Sequence, residues 1–462
     1  MIRTNEKITA RDLSLSTRRL WQVSGPKIAE INRTFDLSTG SPVYTVGGQY
    51  QAQGWTDWTL GFHFGSALLQ FEATGDEEFL QIGRQGLGRM EAHLTHMGVH
   101  DHGFNTVSTF GNLRRMIRDG RVVEQEGELR YLELAIKCSA AVQARRWSRY
   151  RDGGYIYSFN GPHSLFADTI RSLRILSLGY LLGHLLFEEN DQPVSLLERL
   201  IQHARASADF SVYYGAGRDA YDVRGRVAHE SIFNMNDGNY RCPSTQQGYS
   251  SRSTWTRGLA WIILGFAEQL EFLSALPSDD LKPFGGRSEV LGWMQRAAEA
   301  SADYYIESSP TNGIPYWDTG APGLAQIKDH LENPADPFNE FEPVDSSAAA
   351  IAAQGLLRLG HYLKENQQQE SGNQYWQVGL TVAAALFDSP YLSESPDHQG
   401  LLLHSLYHRP NGWDAIPPGR KVPCNESSMW GDYHVRELAI YLDKIALKDR
   451  YLTFWNAKET DI

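Results

Sequence analysis

The chain has 462 residues, 41% hydrophobic and 21% charged, with 43 Lys plus Arg against 55 Asp plus Glu for a formal net charge of −12. That length can bury a large core in one big domain or several average ones. The acidic balance argues against a nucleic-acid backbone or an anionic membrane as principal partner. Cys138, Cys242 and Cys424 stand far apart and form no Cys-x-x-Cys pair, which argues against a disulfide framework and a cysteine zinc site. The opening MIRTNEKITARDLSLSTRRLW has no apolar h-region and no later run reads as a membrane span, so the expected location is the cytoplasm.

In chain order, apolar residues recur at helical spacing over twelve segments, 10–34, 58–74, 76–96, 105–119, 126–148, 164–187, 193–211, 253–276, 285–307, 343–365, 372–387 and 428–446. No linker long or polar enough to divide them interrupts the series, so a single catalytic domain over 1–462 is expected. Twelve alternating helices make six hairpins, which can close into a ring of inner and outer helices: an all-α (α/α)6 toroid with its loops gathered at two mouths. A small β-hairpin is expected near 229–241, where Ile232, Phe233, Met235 and Tyr240 surround Asp237-Gly238, a dipeptide that supplies positive φ. The long gaps 212–252, 308–342 and 388–427 are expected to be functional loops.

The stretch His229 to Trp261 is dense in polar, aromatic and glycine residues ahead of an apolar helix, and reads as the floor of a site. Ser253 is a fair N-cap for that helix. Arg257 then sits in its first turn, where a cation opposes the helix dipole. It is paired with a nearby Asp or Glu, or it shares an anion with the free N–H groups. Earlier, HMGVHDHGF places Asp101 between His100 and His102. A metal site there is not expected, because neighbours one and two apart do not share a helix face and no second cluster has ligand spacing. Asp168 lies at the edge of an apolar helical face. It is either an acid of raised pKa or an ion pair with Arg171.

Five segments in order, HDHGF at 100–104, FADTIRSL at 166–173, TQQGYSSRSTWTRGLAW at 245–261, VDSSAAAIAAQGLLRL at 344–359 and ESSMWGDYHVREL at 426–438, resemble the unsaturated glucuronyl hydrolases, glycoside hydrolase family 88. The resemblance runs from about Trp58 to Leu442. It implies a hydrolase that takes the 4,5-unsaturated uronic acid from the non-reducing end of lyase-generated oligosaccharides, its partners being those disaccharides or oligosaccharides, with no cofactor and no metal. By position it implies Asp168 as general acid and base, Asp101 as second carboxylate, His229, Gln247 and Arg257 as holders of substrate or water, and Trp255, Trp261 and Trp58 as stacking residues. Phe159 follows GGYIYS where the family often has tryptophan, His63 also stands in a tryptophan position, and Gln246 replaces a histidine. Ser405 to Pro410 lacks the family's Ser-x-x-Ser-x-Lys pattern, so an unsulfated neighbouring sugar is expected. Related alternatives are an unsaturated rhamnogalacturonyl hydrolase, another toroid enzyme, or a non-catalytic sugar-binding protein.

Overall fold

The computed structural model describes residues 1–53, 57–449 and 452–455; the remainder of the expected 1–462 domain lies outside the described residues. From the N-terminus run α1 (Ser14–Thr34), the hairpin β1 (Tyr44–Val46) and β2 (Gln49–Gln51), α2 (Leu60–Thr74) and α3 (Glu77–Arg89). Next come α4 (His102–Thr106), a π-turn over Val107–Gly111, α5 (Asn112–Arg118), α6 (Glu128–Arg145), and the strands β3 (Trp147–Tyr150), β4 (Gly153–Ile156) and β5 (Ser164–Phe166). They are followed by α7 (Thr169–Ser172), α8 (Arg174–Leu181), the hairpin β6 (Leu185–Glu188) and β7 (Gln192–Ser195), α9 (Leu196–Ala206), β8 (Glu230–Phe233) and β9 (Tyr240–Ser244). The chain closes with α10 (Thr256–Ala275), α11 (Arg287–Ser308), α12 (Ser346–Glu365), α13 (Gln369–Leu386) and α14 (Met429–Ala446).

An inner ring is made by α2, α4–α5, α7–α8, α10, α12 and α14, each touching the next, and α14 closes it against α2. Outside it, α3 packs on α2, α6 and α9 on α8, α11 on α10, and α13 on α12, while α1 spans α2 and α14. This is the (α/α)6 toroid. Composition sorts the two rings. In α10 every residue except Glu271, Ser274 and Ala275 is buried, as an inner helix touched on all sides requires. Outer α9 instead keeps Glu198 exposed and starts on Ser195, whose hydroxyl accepts from Glu198 N at 3.3 Å. Inner helices also cross closely. A Cβ on Gly103 would lie 2.1 Å from Ser172 O, and one on Gly355 2.7 Å from Leu264 N, so both contacts need glycine.

Several expectations are corrected. The segment 164–187 is not one helix: its first residues form β5, which pairs with β8 so that Phe166 faces Glu230, and its last residues form β6, paired with β7. Cross-strand pairing there overrides the helix preference of the leucines. The β excursion is larger than one hairpin. β5, β8 and β9 make a three-stranded sheet, and three further two-stranded sheets are present among the described residues. In the 234–239 turn only Gly238 has positive φ, at 69°. Helix α10 begins on Trp255, which makes no side-chain cap bond, and Ser253 turns instead to Ser250 N at 3.1 Å. The start of α10 is held by Thr256, whose Oγ1 donates to Tyr316 O at 2.9 Å. By length and composition α10 could cross a membrane, contrary to the reading of the bare sequence. It is nevertheless 83% buried inside the fold, as a core helix would be.

Candidate active site

The N-terminal ends of the inner helices converge on one pocket of about 340 Å³. Trp58 enters it just before α2, His100 and Asp101 just before α4, Asp168 just before α7, and Trp255, Arg257 and Trp261 from the first turns of α10. Gln247 comes from the loop after β9, and Phe159 from the loop before β5. Of the expected residues only His229 does not line the cavity. It stands behind Phe166 and Trp255, with ring centroids 4.5 and 4.7 Å away.

The chemistry is concentrated in three buried groups. His100 Nε2 lies 3.2 Å from Asp168 Oδ2 and 3.7 Å from Asp101 Oδ1. Burial lowers the His100 pKa, but the Asp101 charge and the Asp168 hydrogen bond outweigh it and raise it above the usual histidine value. Burial raises Asp101, and the neighbouring Asp168 charge adds to it against the pull of His100. Asp168 behaves otherwise than expected. Burial pushes its pKa up, yet the hydrogen bond and charge of His100 prevail and hold it below the ordinary aspartate value. The Arg171 pairing is not made either, because that guanidinium pairs with Glu268 and Glu437, both at 2.8 Å. Asp168 Oδ1 is buried and has no partner. Atoms of His100, Asp101 and Asp168 lie within 4.8 Å of one another, a set that could also hold a metal ion. Sequence spacing hid this trio because its third member arrives 68 residues after His100. A cation would have to displace the proton that His100 Nε2 shares with Asp168.

Arg257 has its anion within the protein. NH1 reaches Asp345 Oδ2 at 2.7 Å and Leu406 O at 2.5 Å, while NH2 reaches Tyr407 O at 2.7 Å and Gln247 Oε1 at 3.0 Å. Of the two readings of Arg257, pairing with an Asp is the one made, and the alternative of an anion shared with the helix N–H groups is not. Arg257 accepts nothing, so it fixes the Gln247 amide with its oxygen inward and its NH2 available to the cavity. Asp345 in turn caps α12 by accepting from Ser347 N at 3.1 Å, and Ser347 Oγ accepts from Trp430 Nε1 at 3.0 Å. Trp430 stacks on Trp58 with centroids 5.0 Å apart. The VDSS and SSMWGDY segments thus support the pocket wall from behind.

His229 is held just as firmly. Its Nδ1 accepts from Gln246 N at 3.1 Å, which leaves the ring proton on Nε2, buried and without a partner. Burial lowers its pKa to about 4, so it is a neutral donor beside Asp168. His63, at the altered tryptophan position, is a core residue packed on Phe64, 4.7 Å between centroids. The exposed ring of Phe159 lies parallel over His100 at 6.0 Å and forms a lip of the pocket.

Sequence reasoning did not assign His100, Phe104, Phe166, Gln246, Tyr407, His408, Asn411 or Trp413, all of which line the cavity. The last four come from the long 388–427 loop, whose length was the available signal. Asp414 anchors that loop by accepting from Tyr407 N and, at 3.1 Å, from His408 N.

No protein-family profile matches the chain. It is similar to the unsaturated glucuronyl hydrolase of Bacillus sp. (strain GL1), 28% identical over 84% of this chain and 87% of that protein. It is also similar to one from Formosa agariphila, 24% identical over 85% and 81%, and to the unsaturated chondroitin disaccharide hydrolase of Streptococcus agalactiae serotype III, 23% identical over 85% and 82%. Among solved structures, that of the Bacillus sp. GL1 unsaturated glucuronyl hydrolase superposes with a TM-score of 0.68 at 23% identity, covering 92% of this chain and 97% of its own. The Streptococcus agalactiae unsaturated glucuronyl hydrolase gives 0.69 at 20%, covering 98% and 95%. A third structure, 24% identical with a TM-score of 0.67, pairs an unsaturated glucuronyl hydrolase with dGlcA-Glc-Rha-Glc. By sequence over most of its length and by its toroidal fold, the chain is a homologue of the unsaturated glucuronyl hydrolases.

Proposed function

We propose that the protein hydrolyses oligosaccharides bearing a 4,5-unsaturated uronic acid at the non-reducing end, by hydrating the vinyl ether of that sugar. The observation that carries this reading is the buried Asp101–His100–Asp168 cluster inside an aromatic pocket of single-sugar size. The double bond is electron-rich at C4, so the reaction starts with one proton donor and needs no attack at the anomeric carbon. The two-carboxylate separation that distinguishes ordinary retaining from inverting glycosidases therefore does not apply.

A proton passes from the Asp168 carboxyl to C4, and a water oxygen bonds to C5 while its proton returns to Asp168. The resulting hemiketal opens to a ketone by breaking its bond to the ring oxygen. The hemiacetal left at C1 then releases the neighbouring sugar, so one water is consumed and a keto-aldehyde acid is formed. Asp168 suits this cycle because Oδ2 is held by His100 while Oδ1 is unpartnered. The proton is drawn from the cluster once an anionic uronate enters, since a nearby negative charge raises every pKa in it. The amide of Gln247 places water and hydroxyls, while His229, behind Phe166 and Trp255, holds the Gln246 backbone N–H through Nδ1. The sugar carboxylate is placed toward the N-terminal end of α10, where Trp255 and Arg257 line the pocket and the helix dipole favours an anion.

The leaving sugar faces His408, whose pKa burial lowers to about 4, and Arg257, which is committed to Asp345. With no other Lys or Arg lining the pocket among the described residues, an unsulfated sugar fits this position best. The test is to add the protein to lyase digests of hyaluronan, chondroitin, heparin, gellan and rhamnogalacturonan and follow the ultraviolet absorbance of the conjugated double bond. Loss is expected on at least one digest and none with Asp168→Asn, which should keep its fold. Binding without loss on every digest would leave a non-catalytic sugar-binding protein. Loss confined to rhamnogalacturonan digests would indicate the rhamnogalacturonyl activity instead.

A further inference from the structure

Beyond the wall of the active-site pocket lies a groove of about 790 Å³. Met97 and Tyr157 line the groove, and His100 and Phe159 line the pocket, so the segments 97–100 and 157–159 run from one to the other. Two or three residues of chain span roughly 7–10 Å, less than two sugar units. The groove runs between the β3–β4 and β6–β7 hairpins and continues into a second hollow of about 510 Å³ that shares Trp147, Arg149, Glu188, Gln192 and Arg199.

Its charge is opposite to that of the molecule. Arg145, Arg146, Arg149 and Arg199 line it against Glu188 and Glu189, in a chain of net charge −12. Arg145 and Arg149 are exposed, and neither forms an ion pair among the described residues. Arg199 is built in. It is 6% exposed, its guanidinium lies 4.1 Å over the Trp147 ring, and NH2 reaches Glu188 at 3.1 Å, while its buried Nε has no acceptor. Arg146 is likewise set 4.2 Å over Tyr157. Guanidinium groups stacked on aromatic rings, with further arginines free at the rim, are suited to carboxylates or sulfates spaced along a carbohydrate.

We propose that this groove is a second carbohydrate-binding site, which holds the distal anionic units of a longer substrate while its unsaturated end occupies the pocket. The inference rests on the proposed hydrolase reading for the part played by the pocket. It makes the enzyme prefer oligosaccharides over disaccharides without altering the chemistry.

The experiment compares the full-length protein with Arg145→Ala/Arg149→Ala on unsaturated disaccharide and hexasaccharide from the same digests. Hyaluronan carries carboxylates alone and chondroitin sulfate carries both groups. Two exposed ion pairs correspond to a loss of about tenfold in kcat/KM on hexasaccharide, expressed in KM and fading with added salt. Disaccharide turnover is expected to stay unchanged. A control pair at exposed positions elsewhere, Arg11→Ala/Arg130→Ala, should keep wild-type values. Loss on both digests assigns the contact to carboxylates, and loss only on the sulfated one assigns it to sulfates. No loss, or equal loss on disaccharide and hexasaccharide, overturns the proposal. Binding of saturated hyaluronan and chondroitin sulfate hexasaccharides, measured by calorimetry, separates the two readings. If the wild type turns over nothing yet binds a saturated chain more tightly than the double variant, the hydrolase reading fails and the groove stands. Equal binding by both proteins overturns the groove.

Discussion

Asp101→Asn isolates the electrostatics on which the proposed reaction depends. The carboxylate lies 3.7 Å from His100 Nε2, and His100 is 1% exposed. At an effective dielectric constant of about 20, two unit charges at that distance interact by roughly 4 kcal/mol, an upper bound. Opposite charges at such range ordinarily shift a pKa by about one to three units. The amide removes this term while keeping the shape, so His100 should lose its raised pKa and titrate one to three units lower. Asp168 would then sit beside a neutral imidazole at neutral pH. The cluster would have no proton to supply, and kcat should fall by at least about a hundredfold, the usual scale of a lost general acid. Turnover is followed by the absorbance of the double bond, His100 titration by NMR of labelled histidine, and folding by thermal melts, which should change little. If His100 titrates in the variant as in the wild type, or if kcat falls with the pH profile unmoved, Asp101 does not act through His100 and the relay is wrong.

Arg257→Ala should now damage fold and site together. It strands the fully buried Asp345, a change that typically costs about 3–5 kcal/mol, and it also frees the Gln247 amide; a melting temperature equal to wild type would contradict this. Asp414 tests a pH dependence. Burial raises its pKa to about 6, above the unfolded value, so its contribution to stability is fully present below about pH 4 and lost as pH rises through 6. Denaturant titrations should show this decline, of about 3 kcal/mol for two units, in the wild type, and a smaller one in Asp414→Asn. Glu437→Gln would leave Arg171 and Arg174 poorly compensated in the toroid axis and should cost several kcal/mol of stability at nearly unchanged KM. Phe159→Ala removes an exposed stacking lip and should raise KM about fivefold without lowering the melting temperature.

The inner ring was legible in the sequence because a helix buried on nearly every side carries a wide apolar face, broken only by the charges that pair with neighbouring helices. α10, α12 and α14 were found nearly to their ends for that reason. The 164–187 segment misled because Leu165, Leu185 and Leu186 serve equally in a helix or a strand. What decided was pairing with residues 230–232 and 193–195, which no local pattern records. Asp101, Asp168, Gln247, Trp255 and Trp261 were found because each lies in one of the five segments that carry the resemblance, and Trp58 because it stands at the start of the resembling stretch. His100 was read as a mere neighbour of Asp101, since its importance comes from Asp168, far along the chain. The partner of Arg257 was left open between an acid and a shared anion for the same reason. Asp345 stands 88 residues away in another motif, and two motifs that are each complete in sequence turn out to be halves of one contact.

That contact bears on how an anionic sugar can enter at all. The pocket and its immediate support hold Asp101, Asp168 and Asp345 against His100 and Arg257. With His100 counted as the imidazolium that its raised pKa favours, three carboxylates face two cations and one negative charge remains. A uronate entering such a site would be repelled, were the helix ends the only compensation. The charge is most simply balanced by a proton taken into the Asp101–His100–Asp168 cluster, where two acids flank one base, Asp168 hydrogen-bonded to it at 3.2 Å and Asp101 lying 3.7 Å away. An extra arginine would have bound the carboxylate more tightly but would have lowered both acids as well, working against proton donation to C4. Committing Arg257 to Asp345 keeps a cation near enough to orient Gln247 while leaving the acids free to rise. On this argument the substrate's own charge supplies the condition for its protonation, and the disaccharide's arrival and the arming of Asp168 are one event.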